Sequence, residues 1–200
     1  ELPTAVTTGA SVLLEDTSVL FVGGKNASGT PSSMAAIFYP GLSQTTKGTV
    51  AEVQPGLNHP RMNHTVTRMA DGTVLIVGGI GESGTALNSI EVYDPVQRTF
   101  LLLDEKLATA RSSHTATLLR SGQVLIAGGT STKAIKSAEI FDPVTGEINA
   151  VGDMITARTM ARAVRLPAGR VLIAGGSDDT GALASVEIFD PFAAAFLATD

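Results

Sequence analysis

An all-β fold built of four similar units is predicted by three features of the 200-residue sequence. First, the stretch at 122–143, GQVLIAGGTSTKAIKSAEIFDP, recurs recognisably at 17–40 (TSVLFVGG…AAIFYP), 72–95 (GTVLIVGG…SIEVYDP) and 169–191 (GRVLIAGG…SVEIFDP). Second, the glycine pairs that begin at Gly23, Gly78, Gly128 and Gly175 are spaced by 55, 50 and 47 residues. Third, the chain carries 21 glycines and almost no helical periodicity. Periods of about 50 residues are those of propeller blades, each of which buries its faces against its neighbours.

Each unit reads as four strands. Arg61, Arg111 and Arg158 each stand 17 residues before a glycine pair, a second marker that fixes the frame. After each comes a run such as His64-Thr65-Val66-Thr67-Arg68-Met69, whose alternation suits a first strand. Asp71-Gly72 and Ser121-Gly122 are tight turns into the second strand. That strand, for example Val124-Leu125-Ile126-Ala127, is apolar without alternation, so both of its faces are expected to be buried. The glycine pair after it supplies positive φ and lets a neighbouring backbone come close. A variable polar loop leads to a third strand of β-branched and aromatic residues, such as Ser137-Ala138-Glu139-Ile140-Phe141. Asp-Pro stops it, since proline cannot donate to the ladder. Six residues beyond that Asp stand Phe100, Ile148 and Phe196, the large apolar groups of a short fourth strand. The predicted blades span about 5–53, 63–103, 113–151 and 161–197.

The double glycines, Gly23-Gly24, Gly78-Gly79, Gly128-Gly129 and Gly175-Gly176, together with the third-strand aromatics Phe38, Tyr93, Phe141 and Phe189, resemble kelch repeats, as in the propeller domain of galactose oxidase. The resemblance implies a kelch-type β-propeller. It departs from the family in lacking the fourth-strand Trp, the chain having none. The first copy departs most, with Val6 and Gly9 in the Arg and His places, Ala36 and Tyr39 in the Glu and Asp places, and a long insertion at 41–58. Kelch propellers generally close with five to eight blades, so four are expected to leave two open faces. The remaining blades of a longer parent chain, a second copy or a cleaved partner would cover them. The Arg-x-x-His, Val-Leu-Ile-Ala-Gly-Gly and Glu-Ile-Phe-Asp-Pro variant resembles bacterial kelch-type repeats, which implies a bacterial protein, secreted or at the cell surface.

Composition narrows the partners. A net charge of −5 and 14 scattered basic residues offer no stripe for nucleic acid. No apolar run approaches the roughly 18 residues of a membrane span, so no membrane insertion is expected. Cysteine is absent, which removes disulfides and thiolate chemistry. The chain begins at Glu1-Leu2-Pro3 with neither an initiator Met nor a signal peptide, and so is expected to be a processed or excised piece.

Residues that recur once per blade are explained by what every blade needs. Arg61, Arg111 and Arg158, with Glu91, Glu139 and Glu187, could form a charged binding ring; inter-strand or inter-blade ion pairs that fasten the stack are preferred. Asp94, Asp142 and Asp190 are expected to cap turns. His64 and His114 match between adjacent blades, but no third ligand has recognisable spacing, so no metal is expected. No nucleophile elbow, phosphate loop or His-Glu-x-x-His is present, and neither a catalytic residue nor a cofactor is assigned.

The expected function is therefore a non-enzymatic binding or adhesion module for a protein or glycan partner. The alternative is a piece of a sugar-processing enzyme, oxidase or epimerase-like, whose catalytic residues lie elsewhere. Binding is assigned to the face that carries the loops between strands two and three and between blades. Its residues that break the repeat are Lys25, Asn26, Glu82, Lys133, Lys136, Asp178 and Asp179, and the 41–60 segment is placed with them.

Overall fold

The computed structural model describes residues 1–41 and 47–199. Among them there is no helix, and the four principal sheets are antiparallel and four-stranded, with strands in chain order. Blade 1 comprises Ala10–Leu13, Val19–Val22, Ala35–Tyr39 and Thr49–Glu52; blade 2 comprises Thr65–Arg68, Val74–Val77, Ser89–Asp94 and Thr99–Lys106. Blade 3 comprises Thr115–Leu118, Val124–Ala127, Ala138–Phe141 and Ile148–Ala150; blade 4 comprises Arg162–Arg165, Val171–Ala174, Val186–Asp190 and Ala195–Ala198. The first strands pack in succession, Ala10–Leu13 on Thr65–Arg68, that on Thr115–Leu118, and that on Arg162–Arg165. They are the inner strands of an arc, and the ring is not closed.

Three cores lie between successive blades. Leu20, Val22 and Ile37 of blade 1 pack on Val74, Ile76 and Tyr93 of blade 2. Leu75, Val77 and Ile90 meet Val124, Ile126 and Phe141 of blade 3. Leu125, Ala127 and Ala138 meet Val171, Ile173 and Phe189 of blade 4. The second strands of the two middle blades are accordingly buried at every residue. Those of the outer blades are buried only at alternate residues, because Val19–Val22 and Val171–Ala174 each have a neighbour on one side. An unbroken apolar run thus predicts two buried faces only where a blade stands on each side.

The fourth-strand apolar residues lie across the ladder from the third-strand aromatics, Phe100 opposite Tyr93, Ile148 opposite Phe141 and Phe196 opposite Phe189. In blade 1 that place belongs to Val50, opposite Phe38. Most of the expected insertion is therefore the turn and outer strand of blade 1. Its extra residues fall between Tyr39 and Thr49, on the side of the short hairpins and away from the loops joining blades; residues 42–46 lie outside the described ones. Only 53–60 enters blade 2 on the loop side, with Val53 and Leu57 buried in the core.

Glycine pairs form the joints between blades. Gly24, Gly79 and Gly129 donate their amides to the carbonyls of Arg61, Arg111 and Arg158 in the next blade, at 2.8, 2.9 and 2.8 Å. A Cβ on Gly23 would stand 2.5 Å from the Arg61 carbonyl oxygen and 2.5 Å from His64 Cε1; one on Gly128 would stand 2.5 Å from the Arg158 oxygen. Gly175 differs: its φ of +63° is the same, yet a Cβ there meets nothing nearer than 3.7 Å, since no blade follows. At this fourth pair the close backbone approach falls on Gly176 alone, where a Cβ would meet the Thr159 carbonyl oxygen and the Ala161 amide of its own blade.

Candidate functional site

The recurrent arginines and glutamates are buried clamps. Arg61 is fully buried and uses all five donors: Nε on the His59 carbonyl, Nη1 on the carbonyls of Gly78 and Ser89, and Nη2 on Ser89 Oγ and, at 2.7 Å, Glu91. Glu91 in turn accepts the amides of Asn58 and His59. Arg111 repeats this with Ser137 and Glu139 at 2.6 Å, and Arg158 uses both Nη groups in the same way on Ser185 and, at 2.6 Å, Glu187, while its buried Nε has no partner among the described residues. Burial pushes the Arg61 and Arg111 guanidinium pKa values down, against which the carboxylates of Glu91 and Glu139 act. Each clamp therefore ties the incoming inter-blade loop to the second and third strands of its own blade. Guanidiniums buried on their own carboxylates in this way, with every donor of Arg61 and Arg111 satisfied inside the fold, are withdrawn from any external ligand.

His64 and His114 press on the glycine pair of the preceding blade, against Gly23 and Gly78 respectively. Burial, aided by Arg61 and Arg111 respectively, lowers both pKa values to about 3, so both rings are neutral at ordinary pH. His114 Nε2 meets Thr65 Oγ1 at 2.8 Å. In blade 4, where Ala161 stands in the histidine place, Met154 fills the space beside Gly128. No group of three potential metal-ligating side chains exists among the described residues.

Where the inner strands converge on the loop side lies a depression of about 550 Å³, lined by all four blades: Thr8 and Gly9, then Asn63 with His64 and Thr65, then Ser113 with His114, then Met160 with Ala161 and Arg162. One position per blade stands out. Thr8, Asn63, Ser113 and Met160 have φ of 55°, 55°, 52° and 56°, left-handed backbone in residues other than glycine. Asn63, Ser113 and Met160 pass their amides to the carbonyls of Thr8, Asn63 and Ser113, making a collar of backbone hydrogen bonds around the channel. Strain of this kind persists only where surrounding structure enforces it. These residues stand two places after the arginine position, a signal present in the sequence; their left-handed backbone and shared rim were not foreseen.

Residues 60–103 match the family model of the Kelch motif. Blade 2 is a kelch motif. The fold of the chain is similar to the solved structure of YjhT, a kelch-repeat propeller, with a TM-score of 0.78 and 16% identity over 100% of this chain and 67% of that one. No curated protein sequence matches the chain. The kelch propeller fold supports a protein-binding or enzyme-associated module in general, and no helix among the described residues is long and apolar enough to cross a membrane.

Of the loop residues singled out by sequence, Asn26, Asp178, Asp179 and Lys136 make contacts within the loops themselves. Asn26 Oδ1 accepts the amides of Ser28 and Thr30, and Asp178 Oδ1 those of Thr180 and Gly181, so both shape their own turns. Asp179 accepts the Ala134 amide at 3.0 Å and links the loops of blades 3 and 4. Lys136 lies 3.6 Å from Asp153 with both side chains half exposed. Lys25, Glu82 and Lys133 are exposed. A second depression, of about 400 Å³, lies on the hairpin side between Arg120 and Phe192 and involves blades 3 and 4 alone.

Proposed function

We propose that this chain is a non-enzymatic binding module whose partner, a protein in the first instance, sits on the channel mouth and the loops around it. The observation that carries the reading is the collar. Thr8, Asn63, Ser113 and Met160 share one backbone conformation and one place on the rim but differ in chemistry, so the scaffold repeats while the presented surface does not. The lining holds no carboxylate, and its one cation is Arg162, because both histidines are kept neutral. Such a rim suits hydrogen bonding and apolar contact with peptide or glycan groups, and it offers no acid and base pair for sugar chemistry. Among the sequence-selected residues, Lys25, Glu82 and Lys133 complete this face. A bacterial, secreted or cell-surface setting belongs to the same reading and rests on the resemblance of the repeat variant.

The test is selection of ligands from a displayed random peptide library and, in parallel, from a panel of neutral oligosaccharides. Peptides retained by the parent and lost by Asn63→Ala with Met160→Glu, at unchanged melting temperature, support the proposal. Retention that is indifferent to those substitutions, or turnover of an oligosaccharide, overturns it.

A further inference from the structure

On the hairpin side, away from the channel mouth, the same recess is built twice. Between blades 2 and 3 it measures about 210 Å³ and lies among Ala70, Asp71, Asp142 and Val144. Between blades 3 and 4 it measures about 400 Å³ and lies among the corresponding Arg120, Ser121, Asp190 and Phe192. Ser121 lines both, so the two recesses adjoin and make one groove along the rim.

The shape repeats, but the charge does not. The first recess holds two carboxylates, Asp71 and Asp142, and no cation. Asp71 Oδ1 accepts the amide and hydroxyl of Thr73, and Asp142 accepts the Val144 amide on one oxygen and Gln123 Nε2 on the other. In the second recess Ser121 stands where Asp71 stood, and two arginines, Arg120 and Arg170, meet the single carboxylate of Asp190. Arg170 takes that carboxylate at 2.9 Å, whereas among the described residues Arg120 bonds only the Pro167 carbonyl. The groove therefore has an acidic end and a basic end.

One residue per blade decides how much room a recess offers. It reaches over the turn glycine of the next blade: a Cβ on Gly72 would stand 3.3 Å from the Glu15 carboxyl, and one on Gly169 would stand 3.2 Å from Arg120 Cδ. At the middle junction that residue is Ala70, and a Cβ on Gly122 would meet nothing within 4 Å. Space for a side chain is thus left over Gly122, between two carboxylates. Each recess is bordered by the apolar residue that follows Asp-Pro, Val144 in one and Phe192 in the other, 92% and 101% exposed. Side chains so placed add nothing to the core, and apolar groups rimmed by charge mark a contact surface.

We propose that this rim groove is a second docking surface, holding an extended segment of a partner protein with a cationic side chain over Gly122 and an anionic side chain at Arg120. Apolar residues between the two charges rest on Val144 and Phe192. The choice of occupant rests on charge complementarity: a segment that is reversed, or charged with one sign throughout, meets like charge at one end of the groove. Exposed ion pairs alone bind weakly, and the aromatic side chain supplies the area that they lack.

The test measures fluorescence anisotropy of labelled synthetic peptides titrated with the full chain. Each peptide carries one Lys and one Glu separated by leucine and serine, the separation stepped residue by residue and in both chain directions; peptides with two Lys, two Glu or no charge serve for comparison. One Lys/Glu spacing is expected to bind about tenfold tighter than any comparison peptide. Ala70→Arg, which gives the middle junction the residue that Arg120 supplies to the next, is expected to abolish that binding at unchanged melting temperature. Arg120→Glu, the residue that Glu15 supplies in blade 1, is expected to transfer the preference to a two-Lys peptide. The proposal is overturned if no Lys/Glu peptide binds, if the uncharged peptide binds as tightly, or if Arg120→Glu leaves the preference unchanged. A dimer in sedimentation that Phe192→Ser dissociates also overturns it, because a second copy then occupies the rim.

Discussion

The carbonyl of Arg158 accepts the amide of Gly129 in the preceding blade at 2.8 Å, while its guanidinium reaches Glu187 of its own blade at 2.6 Å. One residue thus holds two blades, by backbone on one side and by side chain on the other. The same division recurs at Arg61 and Arg111, and it makes the effects of substitution position-specific.

Gly128→Val is expected to cost roughly 4 kcal/mol, left-handed strain and overpacking together, because a Cβ would stand 2.5 Å from the Arg158 carbonyl oxygen. Gly175→Val, with the same backbone but no neighbour, is expected to cost only the strain, about 1–3 kcal/mol. Urea unfolding of the two variants checks the difference; equal losses would refute the joint.

Arg111→Ala leaves the Glu139 carboxylate buried without its cation, and is expected to cost about 3–5 kcal/mol. Arg111→Val with Glu139→Ala is expected to lose less than the single variant, since blade 1 holds Val6 and Ala36 at those places and forms its sheet. A double-mutant cycle by chemical denaturation provides the measurement.

Acid should weaken the fold through its two buried histidines. Their pKa falls from 6.5 to about 3 on folding, so between those values the unfolded chain binds protons that the folded chain does not. Their contribution to stability is complete above pH 6.5 and is lost as pH falls toward 3, each histidine by on the order of 1 kcal/mol per pH unit. Unfolding free energies from pH 7 to pH 4 read this slope directly, and His64→Gln with His114→Gln is expected to flatten it.

Among the loop residues, Asp178→Ala is expected to lower the melting temperature, because the carboxylate accepts from Thr180 and Gly181. Glu82→Ala and Lys133→Ala, on exposed side chains, are expected to leave the melting temperature unchanged. A matched set of melting curves separates turn-shaping residues from those free to meet a partner.

The sequence by itself determined the four blades and the strands within them. Their signals are local: an apolar run closed by a glycine pair, an aromatic strand closed by Asp-Pro, and an arginine at constant distance. Each is set by strand period and turn chemistry within some tens of residues. Blade 1 was read less well because Val50 replaces the large fourth-strand residue and the turn before it is longer. What only the tertiary structure decided is what blades do to one another. Gly128 and Gly175 have the same neighbours in sequence, and a Cβ on Gly128 is crowded by Arg158 while one on Gly175 would make only an ordinary contact with the Leu183 carbonyl. Met154 takes the room that histidine leaves, and Thr8, Asn63, Ser113 and Met160 become one rim although they span most of the chain. These relationships depend on which blade stands beside which, a matter of packing between residues about 50 positions apart that no local pattern encodes.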